Sequence, residues 1–225
     1  MHEDIVMVNI DDYSKRESRK ELWPYDHYAK VVENINAGDP TSLGIDIIFT
    51  LTIDTTGWPL LLDAIENSFV AVNPYMVKFG DKDEPLIVQD HLDILKELSY
   101  DDLPEVEPEF VKNIVDIPYV TEQPFAEAGA LGFINVEPDL DGILRRIPIV
   151  AEINGMLVPH FFLRLICEHL EYSIENIAVI DNETLLLKNF PNGDSFTDLK
   201  IPMDGYGNML INYMSFKDIQ NEINK

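Results

Sequence analysis

The chain has 225 residues, with 16 Lys and Arg against 41 Asp and Glu, for a formal charge of −25. A chain this long buries roughly 70–75% of its unfolded surface and needs neither disulfide nor metal to fold, and 46% hydrophobic with 10% aromatic residues excludes general disorder. Nucleic acid and anionic membrane surfaces are excluded as partners, because both are bound through cationic side chains, and the densest basic stretch (Lys15, Arg16, Arg19, Lys20) is broken by Glu17 and Glu21.

In chain order, residues 4–10 form an apolar run read as a buried strand ending at Asp11, Asp12, Tyr13 and Ser14. Tyr28, Val31, Val32 and Ile35 stand at helical spacing, and Gly38 and Pro40 stop that helix. The run 43–51 reads as a second strand. Leu61, Leu62, Ile65 and Phe69 then form a helix leading into a third strand at 69–72. Strands separated by single helices imply parallel neighbours and a layered α/β arrangement.

Between Gly80 and Pro118 acidic residues crowd around Pro85, Pro104 and Pro108, so this stretch reads as an irregular, solvated excursion with one short helix near His91–Leu98. Strands are expected at 131–136 and 143–153, around a turn at Pro138–Gly142, with a hairpin turn at Asn154-Gly155. Residues 161–170 read as a core helix containing Cys167, which, as the single cysteine, forms no internal disulfide. Residues 177–180 and 184–190 flank Asp181-Asn182-Glu183 as an antiparallel pair, and 209–213 is a last strand. The expected fold is one α/β domain over 1–225, with a mixed sheet: parallel βαβαβ in the first half, antiparallel in the second.

No nucleophile elbow, phosphate loop, dinucleotide fingerprint or zinc motif is present, and the five histidines are scattered, so no catalytic group, metal or cofactor is assigned. Glu137–Gly142 resembles the start of a calcium loop, but Pro148 stands at its twelfth position. Asp139 and Asp141 are read instead as capping a tight turn that needs Gly142 at positive φ. Asp46 interrupts the second strand, and a carboxylate buried there needs a partner, for which Arg145 and Arg146 are the candidates.

Taken together, these blocks resemble the CHASE-type extracellular sensor domain of class two: Val8-Asn9-Ile10-Asp11, Trp23-Pro24, Gly44-Ile45-Asp46-Ile47-Ile48-Phe49, Leu131-Gly132-Phe133-Ile134-Asn135, Asp139 through Arg146 and Gly207 through Tyr213. The resemblance implies a sensory module on the extracytoplasmic face of a bacterial membrane receptor, attached to a histidine kinase, as in two-component systems, or to an adenylate cyclase-type output. It implies a noncatalytic domain that senses a small molecule or ion, is paired as a homodimer in the receptor, and makes no direct membrane contact of its own. Trp23, Asp46, Asn135, Asp139, Asp141, Gly142 and Arg145 are its structural residues.

By analogy with open α/β sheets, a ligand would lie beyond the strand ends, at Asp11, Asp12, Tyr13, Ser14, Thr50 and Asp54. A rival reading is a small-molecule hydrolase or transferase using Asp11 and Asp46 as acid and base. A second rival is a structural dimerisation domain with a filled crevice.

Overall fold

The computed structural model describes residues 5–18, 23–50, 55–81, 91, 93 and 110–212. Among them lie a six-stranded mixed sheet, two small antiparallel sheets and five α-helices.

The first half is built on one parallel βαβ unit. β1 (Leu43–Gly44) pairs parallel with β2 (Ala71–Phe79), and α3 (Trp58–Glu66) crosses between them. Before it come α1 (Asp12–Ser18) and α2 (Tyr25–Asn36). Tyr25, Ala29 and Val32 fall on one stripe of α2 and pack with Leu61, Ala64 and Ile65 of α3 against Ile45, Phe49 and Ala71. The helices at 28–35 and 61–65 are therefore where the apolar period puts them. Phe69 is an exception, 69% exposed just beyond the end of α3.

Two expectations fail here. Residues 5–10 join no strand, and Ile5, Val6, Met7 and Val8 are 61, 82, 64 and 54% exposed. An apolar run has strand propensity but becomes a strand only beside a partner. Of the run 43–51, the described residues contribute only Leu43 and Gly44 to a ladder, and Asp46 is exposed.

β2 is the hub of the sheet. It pairs antiparallel with β3 (Lys112–Val120) and parallel with β4 (Ala130–Phe133), the latter preceded by the short helix α4 (Gln123–Glu127). The stretch 80–118 is thus not irregular to its end: Ile114, Val115 and Ile117 of β3 are buried. Gly80 N donates to Asn113 O at 3.2 Å where β2 and β3 meet. His91 and Asp93 are helical, and His91 Nδ1 lies 2.5 Å from Ile117 O; the rest of the expected helix lies outside the described residues.

β3 runs parallel to β6 (Val150–Ile153), which forms a hairpin with β7 (Met156–Pro159). Asn154 (φ 52°) and Gly155 (φ 84°) make the two left-handed positions of that hairpin turn. The sheet then curls until its ends meet, with Phe133, the last residue of β4, bridged in parallel to His160 just beyond β7. Tyr75, Val77, Ile117, Leu131, Phe133, Ile153 and Val158 fill the inside of this curl. Parallel and antiparallel pairs are therefore interleaved along the chain, not divided between its halves.

α5 (Phe161–His169) covers the outside of the curl. Gly132 is required there, since a Cβ on it would lie 2.5 Å from the Phe161 Cα. Cys167 lies on the buried side of α5, packed with Leu163 and Tyr172, and burial pushes its thiol up to about 12. β8 (Ile177–Asp181), β9 (Thr184–Asn192) and β10 (Ser195–Pro202) form one small sheet. β5 (Arg146–Pro148) and β11 (Asn208–Leu210) form the other.

Candidate functional site

β4 ends in a side-chain clamp. Asn135 Oδ1 accepts from Val77 N and Asn135 Nδ2 donates to Val77 O, both at 2.6 Å, so an amide side chain extends the β4–β2 ladder. The chain leaves this fixed point into a turn held by its own backbone. Asp139 N donates to Ile143 O (3.0 Å) and Gly142 N to Asp139 O (2.8 Å), with Gly142 at φ +79°. The turn reading of Asp139, Asp141 and Gly142 therefore holds.

The carboxylates of that turn are committed to arginines. Arg145 grips Asp141 through two bonds (2.9 and 2.8 Å) and also reaches Asp139 at 2.9 Å. Arg146 holds the other oxygen of Asp139 at 2.9 Å. The guanidinium of Arg145, followed by the Ile143 N–H, holds the Asp141 carboxyl below its usual range, and Asp141 in turn raises Arg145. Arg145 is thus not the partner of Asp46. That expectation presumed a buried carboxylate, and an exposed one is satisfied by water.

A cleft of about 600 Å³ opens beside this network, between the turn and the segment entering β11. Lys112, Glu137, Asp139, Arg146, Asp204 and Tyr206 line it. Lys112 pairs with Glu137 and lies 5.0 Å from the centre of the Phe79 ring. Asp204 is held by Asn208, whose N and Nδ2 both donate to its Oδ1 at 3.0 Å. The contact across the cleft is looser, with Arg146 Nε 3.6 Å from Asp204 Oδ2. Tyr206 stands 71% exposed at the rim. Three carboxylates against two cations leave the lining nearly neutral, unlike the chain as a whole. Polar groups of both signs and one free aromatic face suit a small polar ligand.

The residues expected beyond the strand ends do not converge on this cleft. Asp11 caps α1, accepting from Ser14 N and Oγ at 2.8 Å each, and this holds its carboxyl below the usual range. Asp12 and Tyr13 are exposed. Thr50 is exposed, its carbonyl accepting from the buried Tyr25 hydroxyl at 2.5 Å. Asp54 lies outside the described residues. Because 5–10 forms no strand, the strand-end argument loses its premise at Asp11. No hydrogen bond or ion pair joins Asp11 to Asp46, the pair required by the hydrolase reading. Trp23 packs at tilted angles on His27 and Tyr28.

Sequence reasoning missed Lys112, Asp204 and Tyr206, and met Glu137 only as the first position of a calcium loop that it set aside. The one signal the sequence offers is the Asp-Gly-Tyr-Gly run at 204–207, whose residues favour a turn. Among the described residues no cluster of His, Cys, Asp and Glu is arranged to hold a metal ion, and no helix is long and apolar enough to cross a membrane.

The whole chain, residues 1–225, matches the family model of the CHASE2 domain, and the protein belongs to that family of sensory domains, which are typically extracytoplasmic parts of signalling proteins. No curated protein and no solved structure was found to match it.

Proposed function

We propose that this chain is the ligand-sensing part of a bacterial membrane receptor, itself noncatalytic, and that the cleft between Arg146 and Asp204 receives the signal, a small polar molecule or ion. The observation that carries this reading is the placement of the cleft. One wall is anchored to the inner sheet through the Asn135 clamp, and the other leads directly into β11, the last described strand. A ligand that binds one separation of these walls better than another shifts the position of the carboxyl-terminal segment, and only such differential binding transmits a signal. An attached kinase or cyclase, in a receptor paired as a homodimer, would read that shift.

The test is thermal unfolding of the chain against a panel of amino acids, sugars, dicarboxylates and metal ions. A true ligand at a hundred times its Kd adds about 2.7 kcal/mol, or roughly 5–10 °C in a domain of this size. That shift should disappear in both Arg146→Met and Tyr206→Ala and persist in Asp11→Asn. The opposite pattern would return the site to the amino-terminal residues.

A further inference from the structure

Among the described residues nothing pairs with the outer edge of β1. Leu43 N and Ile45 N donate towards β2, to Val70 O (2.8 Å) and Val72 O (3.0 Å). The alternate backbone groups, at Gly44 and Asp46, therefore point away from β2; both residues are exposed, and among the described residues neither enters a backbone hydrogen bond beyond β2. Unpaired edges of this kind accept added strands.

The same chain carries an unpaired strand former. Ile5, Val6, Met7 and Val8 are all more than half exposed in a stretch without regular secondary structure. Topology decides where such a strand belongs. α3 makes the crossover from β1 to β2, and α2 packs with α3 in the same apolar layer, against Ile45 and Ala71. Right-handed crossovers whose helices share one face step across a sheet in one direction. A parallel strand that precedes α2 therefore falls on the side of β1 away from β2, which is the open edge. The lengths agree: α2 has 12 residues and spans about 18 Å, and a six-residue strand spans about 20 Å.

We propose that the open edge of β1 is a strand-docking site, and that its occupant is residues 5–10 of the same chain, added parallel to β1 as a seventh strand. The tether favours this occupant by effective concentration, and a charge of −25 on every copy opposes a second chain. The domain then has a docked form and the free form described above, which differ in the path of the entering chain. A pull on the amino-terminal side strips this outer strand before any other. The inference stands independently of the ligand cleft.

Amide hydrogen exchange of the full chain, read by NMR, tests it. Gly44 and Asp46 should exchange at least about tenfold more slowly than in the Val6→Asp/Val8→Asp variant, at any protein concentration, with the Val72 amide equally slow in both as the control for folding. Single proline substitutions along 5–10 should release Gly44 and Asp46 at alternate positions only, since only alternate N–H groups face β1. Equal exchange in the wild type and the aspartate variant overturns the proposal. So does protection that grows with protein concentration, which would assign the strand to a second copy.

Discussion

His160 sits where the curled sheet closes and is 6% exposed. Its ring lies against Phe133 and Phe162, and Nδ1 caps α5 by accepting from Phe162 N at 3.3 Å. Among the described residues no hydrogen bond of good geometry reaches Nε2; burial, opposed by the Asn135 backbone, lowers the imidazole to about 4. Because this lies below the ordinary value of 6.5, the unfolded chain takes the proton first as pH falls. The stabilising contribution is complete above pH 6.5 and disappears between there and pH 4, a loss of roughly 3 kcal/mol. Urea midpoints should fall across this window in the wild type, and distinctly less in His160→Gln. Asp46 gives the contrasting case. A buried paired carboxylate would cost about 3–5 kcal/mol on truncation, whereas the exposed Asp46 should tolerate alanine within about 0.5 kcal/mol in denaturant unfolding.

Among the elements, β4 depends on a side chain for its last pairing. Asn135→Ala leaves both polar groups of Val77, a residue 3% exposed, without partners, and should cost about 1–3 kcal/mol. Asn135→Asp keeps the acceptor but loses the donor, so equilibrium unfolding should place it between the two. Elements were legible where local periodicity and turn chemistry decided them: α2, α3, α5, the Asn154-Gly155 hairpin and the β8–β9 pair all fall close to their expected places. β3 was hidden by Asp116 and Pro118, beside an acidic stretch; Asp116 Oδ1 accepts from Ile117 N at 2.9 Å, near the irregular register with β2. β10 is exposed along nearly its whole length and so has no alternation to read. Of the site, the Asp139–Gly142 turn was visible because its determinants are neighbours. The approach of Arg146 to Asp204 was not, because an ion pair between distant segments leaves no spacing in the sequence.

At the scale of the molecule, the charge of −25 sets how copies meet. Mutual repulsion is long-ranged at low ionic strength and contracts to about 10 Å at 0.1 M salt. Sedimentation should therefore find monomers at low salt and weak dimers as salt rises; a tight dimer indifferent to salt would contradict this. The hydrogen bond from Gly80 to Asn113 bears on the overall form in another way. It sets the end of β2 against the start of β3, so the two flanks of the acidic stretch meet at one doorway. In topology the acidic stretch is thus a graft between two paired strands. Closing such a loop costs only about 0.6 kcal/mol more for each doubling of its length. The length of the graft is thus nearly free to vary, while the doorway is not.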